Sequence, residues 1–272
     1  MRAVKDDEEI ALMRQAQSIT DAAFQHMLTF IKPGLTEKEI RTELENFMFS
    51  NGADSLAFGS IVASGPNTAN PHAVPSDRVV QRGDFVLMDY GAGYCDYRSD
   101  MTRTVVVGEP TPEQLDLYAL VRRTHEECAA AVHAGVEGND IFKLSRKIIG
   151  DAGYGDYYNH GLGHGVGIDI HEMPNFNRSM NIIEAGSVIT IEPGVYLPGI
   201  GGVRLEDYGV VTEDGYEPFT KSFARASGYR LLTSKQACNT SCFLAYFTVG
   251  NQETCILLNC LYGAFCRSVL ER

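Results

Sequence analysis

RGDFVLMDYG (residues 82–91) and AGSVITIEPG (residues 185–194) start 103 positions apart and follow one pattern. In each, a glycine precedes four residues of mostly apolar character, then an acid, then a second glycine. Phe85-Val86-Leu87-Met88 runs into Asp89, and Val188-Ile189-Thr190-Ile191 runs into Glu192. A short apolar run bounded by glycines predicts a buried strand. An ionised acid at the inner end of such a strand is costly unless it is paired or bound to metal. The correspondence extends upstream, where FIKPGLTEKEI (30–40) aligns with AVHAGVEGNDI (131–141), and downstream, where each half supplies one more acid, Asp100 or Glu206. The order helix, helix, acid-bearing strand, acid-bearing strand therefore occurs twice. It predicts two similar halves whose acid-bearing strands face each other at the centre.

Local signals fill in the rest. Residues 7–30 carry Ile10, Met13, Ala16, Ala23, Met27 and Phe30 at helical spacing. Pro33-Gly34 interrupts, Thr36 and Glu39 form a capping box, and the next helix carries Ile40, Leu44, Phe47 and Met48 before leaving at Gly52. Thr111, Pro112 and Gln114 open a third helix, predicted to reach about His133, and a short fourth follows over residues 140–149. Strands are expected at 102–107, 187–192 and 203–212.

Asp100 follows Asp89 by eleven residues, enough for a hairpin that would turn both carboxylates toward one ion, with Asp96 in its turn as a weaker candidate. Glu206 follows Glu192 by fourteen residues across a stretch holding Gly199, Gly201 and Gly202. Asp207 adjoins Glu206 but should face the other side of its strand. His164 lies in HGLGHGVG (160–167) between two glycines, a poor setting for a core residue and a good one for reaching a ligand. Four carboxylates and one imidazole form a hard, oxygen-rich set. Gathered without cations, the acids would drive up one another's pKa, whereas two divalent ions about 3.5–4 Å apart could share them. Mn2+ ranks first, and Co2+, Zn2+ and Fe2+ also suit these donors. HEMPN (171–175) does not continue into a zinc H-E-x-x-H motif, and neither the nucleophile elbow nor the P-loop spacing occurs.

Bulk properties narrow the partners. The 272 residues are 44% hydrophobic and carry a net charge of −12, from 35 acidic and 23 basic residues, with no long basic patch. Nucleic acid and membrane surfaces are thus poor partners. No apolar run is long enough to span a bilayer. The N-terminus, MRAVKDDEEI, has no apolar signal segment, so a cytoplasmic location is expected. Of seven cysteines, only Cys95 and Cys128 precede residue 238; the rest are Cys238, Cys242, Cys255, Cys260 and Cys266. This uneven spread argues against a disulfide framework, and the tail spacings match no strong zinc pattern.

LMDYGAGYCDYRSDMTRT (87–104), HGLGHGVGIDIHEMP (160–174), TIEPGVY (190–196) and GGVRLEDYGVVTEDG (201–215) together resemble the pita-bread metallopeptidases, family M24, which includes methionine aminopeptidase, aminopeptidase P and prolidase. The resemblance runs from about residue 5 to about residue 220. It implies an α+β pita-bread fold: two pseudo-symmetric halves around a central curved, mainly antiparallel sheet flanked by helices. It places metal ligands on Asp89, Asp100, His164, Glu192 and Glu206. It adds His72, in PHAVPSD (71–77), and His171 as catalytic and substrate-binding histidines, and gives His160 and Arg204 roles in holding substrate or orienting the site. RSDMTRT (98–104) and the short gap between the last two acids resemble the Xaa-Pro branch. Members of that branch often carry an additional N-terminal domain, which is expected to be absent here because the sequence starts near the linker into the catalytic domain.

The expected activity is hydrolysis of the Xaa-Pro bond in dipeptides or short peptides by a metal-activated bridging water, with Glu192 as general base. The expected partner is a small peptide, and a homodimer is an open arrangement. Two alternatives stand beside this reading: an N-terminal exopeptidase like methionine aminopeptidase, and an inactive binding protein that keeps the site. Residues 1–222 are expected to form the catalytic domain and 223–272 a Cys-rich, apolar extension.

Overall fold

Three helices open on the same device. Asp6, Thr36 and Thr111 each accept a hydrogen bond from the backbone N–H three residues on, while Glu9, Glu39 and Gln114 reach back to the cap. These reciprocal bonds satisfy donors that a helix start leaves free. In the computed structural model they launch α1 (Asp7–Phe30), α2 (Glu37–Ser50) and α3 (Pro112–Ala131); α4 (Gly138–Asp151) starts without a side-chain cap. The structure describes residues 2–177 and 181–222, together with the backbone of strands at 229–231, 243–249 and 252–258.

Two antiparallel arrays carry the acids. Strand Phe85–Tyr90 lies between Ile61–Ser64 and Met101–Val107, with Asp89 opposite Thr102, and Tyr229–Leu231 joins the far edge in parallel. Strand Val188–Ile191 lies between Gly163–Gly165 and Asp207–Val211, with Glu172–Phe176 and Tyr216–Pro218 at the edges. The arrays meet where the Glu206 N–H donates to the Thr102 carbonyl at 3.1 Å. The helices cover them: Phe24, Met27, Ile40 and Leu44 of α1 and α2 pack on Val86 and Met88, while Cys128 and Ile141 of α3 and α4 pack on Ile189 and Ile191.

The internal repeat is visible in the backbone. Gly34 and Gly135 follow the first helix of each half with φ of 99° and 87°, and Gly83 and Gly186 precede the acid-bearing strands with φ of 86° and 82°. These left-handed conformations favour glycine. The residue just before the second helix of each half forms an isolated bridge, Thr36 with Val79 and Glu137 with Ile182.

Three expectations are corrected. The segment 91–100 is more than a hairpin loop: Ala92–Tyr94 and Tyr97–Arg98 form their own small sheet with Ser55–Leu56, and Asp96 sits exposed at its turn with φ of 69°. The strand expected over 203–212 is two strands, Gly201–Arg204 and Asp207–Val211, because the first pairs in a hairpin with Gly194–Leu197 and the second with Val188–Ile191. Glu206 lies in the break. The third helix stops at Ala131, short of His133.

The chain divides into two units, Met1–Leu231 and Leu232–Arg272. The second contains an antiparallel pair, Phe243–Val249 with Gln252–Leu258. Cys238, Cys242, Cys260 and Cys266 lie outside the described residues, as does the side chain of Cys255. Among the described residues no helix is long and apolar enough to cross a membrane.

Candidate metal centre

His164 sits in the middle of the three-residue strand Gly163–Gly165. Its glycines serve packing: a Cβ on Gly163 would stand 2.1 Å from the Thr190 carbonyl oxygen, and one on Gly165 2.4 Å from that of Met173. The neighbouring strands can therefore close on His164 from both sides. Its Nδ1 lies 3.0 Å from the Gly165 carbonyl oxygen, which can only accept, so Nδ1 carries the hydrogen and Nε2 a bare lone pair. Burial lowers the imidazole pKa to about 4, keeping it neutral.

That lone pair points at oxygens. His164 Nε2 is 3.4 Å from Glu192 Oε1 and 3.6 Å from Asp100 Oδ2. An ionised carboxylate has no hydrogen to offer that lone pair, so these electron-rich atoms meet without repulsion only when a cation, or a proton retained by the acids, lies between them. Among the described residues, ligand atoms of Asp100, His164 and Glu206 all lie within 4.8 Å of one another, so these three form a metal-binding site. Asp89 Oδ1 is buried with no hydrogen-bond partner among the described residues, because the one hydroxyl hydrogen of nearby Thr102 goes to Glu206 Oε2 at 2.6 Å. A buried carboxylate oxygen left bare in this way fits a metal ligand.

The electrostatics agree. Burial raises all four acids: Asp89 is raised, Glu192 reaches about 8, and Asp100 and Glu206 stand well above the usual carboxylate range. Mutual repulsion adds to the shift at Asp100, Glu192 and Glu206, while Arg204 opposes it at all four. Four carboxylates thus converge on one bonded guanidinium.

The metallopeptidase family M24 model matches residues 11–213. The chain is 42% identical over 223 residues to the Xaa-Pro dipeptidase of Pyrococcus furiosus, covering 82% of this chain and 64% of that protein. This chain belongs to metallopeptidase family M24. Among solved structures of the family, the Xaa-Pro dipeptidase from Bacillus anthracis matches at a TM-score of 0.80 and 45% identity over 82% of this chain and 63% of its own. The prolidase from Pyrococcus furiosus matches at 0.80 and 42% over 82% and 66%. The α+β pita-bread fold, with its central sheet flanked by helices, is the one these relatives share. The M24 chain described here spans just under two thirds of their length.

Arg204 joins the two halves of this M24 site. Its Nη2 donates to Asp89 Oδ2, Nε to Thr102 Oγ1 at 3.0 Å, and Nη1 to the Tyr196 hydroxyl at 2.9 Å and the Pro71 carbonyl at 3.2 Å. The Tyr196 hydroxyl then donates to His160 Nε2 at 2.8 Å, since His160 Nδ1 must give its hydrogen to the Gly161 carbonyl. Burial holds His160 neutral, at about 3. His160 and Arg204 therefore do not meet the metal-binding group directly in the same way; Arg204 grips Asp89, and His160 ends the relay.

The other two predicted histidines are exposed. His171 packs edge-on against His164 with ring centroids 4.3 Å apart, and His72 sits on the loop whose Pro71 carbonyl Arg204 holds. Asp207 turns away as its alternation requires, pairing with Arg103 at 2.5 Å and facing His125. Arg103 also donates to the carbonyls of Thr102 and Glu206, bracing the junction from behind. Sequence reading missed Thr102, Thr190 and Tyr196. Thr190 receives the His164 N–H at 3.1 Å and faces Glu192 Oε1 at 3.4 Å. A threonine inside an otherwise apolar strand was the available signal.

Proposed function

We propose that this chain is a dinuclear-metal exopeptidase that hydrolyses the Xaa-Pro bond of dipeptides or short peptides. The observation that carries the reading is the bare Nε2 of His164 facing two carboxylates beside the unpartnered oxygen of Asp89. The 42% identity to a protein known as an Xaa-Pro dipeptidase supports the substrate class. Asp89, Asp100, His164, Glu192 and Glu206 would hold two divalent cations, Mn2+ first. Bound ions supply the charge that returns these acids to their ionised forms and acidifies a water in the cleft. Residues 1–222 would carry the activity, with 223–272 as an extension outside it.

Glu192 is the proton acceptor. Its carboxyl, half-buried just past the end of the strand Val188–Ile191, takes the proton of the attacking water and can surrender it to the departing nitrogen. A proline nitrogen has no hydrogen of its own before cleavage, so it must gain one to leave. His171, packed edge-on against His164 with ring centroids 4.3 Å apart, would donate to the oxygen of the carbonyl under attack. His72 orients the peptide from the first half.

Replacing His171 with Ala should lower kcat about 10²- to 10³-fold with a smaller change in KM, the signature of a lost oxyanion donor. Steady-state kinetics on one dipeptide would decide this, and an unchanged kcat would remove His171 from the mechanism. The substrate class is tested on Mn2+-loaded protein with Xaa-Pro dipeptides, Xaa-Pro tripeptides and Met-Ala peptides. Preferential release of the residue before proline is expected. Faster turnover of Met-Ala peptides would favour a methionine aminopeptidase, and no turnover of any peptide would favour the inactive binding protein.

A further inference from the structure

Glu37 is a buried carboxylate outside the metal centre, in the first turn of α2, with no solvent exposure. It accepts five hydrogen bonds. Oε1 receives the Ser64 N–H at 2.7 Å, the Ser64 hydroxyl at 2.8 Å and the Asn67 amide at 3.0 Å. Oε2 receives the Ser76 N–H at 2.9 Å and the Ser76 hydroxyl at 2.6 Å. Arg78 donates to the Ser64 hydroxyl oxygen at 2.6 Å, carrying positive charge toward the carboxylate through that hydroxyl.

The donors stand at the two feet of one loop. Ser64 ends the strand Ile61–Ser64, Ser76 lies twelve residues on, and His72 is carried between them. The loop's apex is held separately, by Arg204 at the Pro71 carbonyl and by the Asn70 side chain at the His72 N–H, 3.0 Å away. One oxygen of Glu37 thus closes the ascending foot and the other the descending foot.

The second half solves the same problem without a carboxylate. The repeat aligns Gly138 with Glu37, and at Gly138 the strand that follows His171, Glu172–Phe176, comes directly onto the helix start: an added Cβ would stand 2.8 Å from the Asn175 carbonyl oxygen. The Gly138 N–H donates to the Asn181 carbonyl at 3.0 Å, and the Asn181 side chain clasps Asn175 at both its N–H and its carbonyl. Each histidine-bearing loop is therefore anchored at the start of the second helix of its own half, by a buried carboxylate in one and by backbone contact with the Asn181 amide in the other.

We infer that Glu37 is a positioning residue for His72, holding the feet of its loop so that the imidazole meets the peptide in one place. The inference rests on His72 acting on substrate as proposed above. In Glu37→Gln, an amide nitrogen replaces one of the two accepting oxygens and leaves at least the Ser64 or the Ser76 N–H buried without an acceptor.

The test is a double-mutant cycle on Mn2+-loaded protein. Glu37→Gln should lower kcat/KM for an Xaa-Pro dipeptide about 10- to 100-fold while metal stoichiometry stays that of the parent. On a His72→Ala background the same change should cost less than about 2-fold, because the residue being positioned is gone. An equal loss on both backgrounds, or no loss on either, overturns the inference. If Glu37→Gln does not fold, Ser76→Ala enters the same cycle with the same two outcomes. Amide exchange separates a failure of this idea from a failure of the peptidase reading: residues 64–76 should exchange faster in the variant while residues 160–171 do not, whether or not any peptide is cleaved. Unchanged exchange at 64–76 also overturns it.

Discussion

Glu206→Gln is expected to lose stoichiometric metal binding and about 10³-fold or more of peptide hydrolysis, yet to melt at a higher temperature than the parent when both are in chelator. The first two losses follow from its place among the ligand atoms shared with Asp100 and His164. Metal charge is worth several kcal/mol at a transition state, which sets the scale of the rate loss. The gain in melting temperature follows from the same crowding. Glu206 is 2% exposed, and burial with the charges of Asp100, Glu192 and Asp89 drives its carboxyl well above the usual range. A neutral amide of nearly the same shape removes that repulsion and can still accept from the Thr102 hydroxyl. Elemental analysis, kinetics and calorimetry in chelator read the three effects separately. A variant that loses activity and is also less stable in chelator would mean that Glu206 is held by bonds that outweigh the repulsion.

The second large effect is a pH-dependent gap between metal-free and metal-loaded protein. In the unfolded chain these acids titrate near their ordinary values, 3.8 for Asp and 4.5 for Glu, whereas folded Glu192 keeps its proton to about 8 and Asp100 and Glu206 keep theirs well above the ordinary range. Between those limits the folded state binds more protons at these acids than the unfolded one, so their contribution to metal-free stability is full below about pH 4 and is lost as pH rises. The slope is about 1.4 kcal/mol per pH unit for each proton retained. Divalent ions replace those protons, so metal-loaded protein should not share the decline, and binding near pH 7 should release protons. Melting curves from pH 5 to pH 8 with and without Mn2+, and titration calorimetry in buffers of different ionisation enthalpy, measure the gap and the release. A gap that stays constant with pH, together with no proton release, would show that the acids do not share one buried site.

Much of this was legible in the sequence because it is local. A capping box needs residues three apart, so Thr36, Glu39, Thr111 and Gln114 announce their helices; Asp6 and Glu9 do the same and were overlooked. The repeat placed Asp89 and Glu192 at equivalent strand ends, and alternation separated Glu206 from Asp207. The four acids and one imidazole proposed as metal ligands could be named from charge, spacing and the apolar runs that precede Asp89 and Glu192.

Partners more than a hundred residues apart could not. The bonds of Arg204 to Asp89 and to Thr102, of Thr102 to Glu206, and the joining of two arrays rather than one continuous strand, depend on how the halves dock. Glu37 is the clearest case. In sequence it is one more acid in a helix's first turn, and a surface place beside the helix dipole would satisfy it. Only the return of the chain at Ser64 and Ser76 surrounds it with donors and turns an ordinary carboxylate into the anchor of a loop. Short-range patterning determined which elements form and which residues carry chemistry, while the closure of distant strands decided which of those residues hold one another in place.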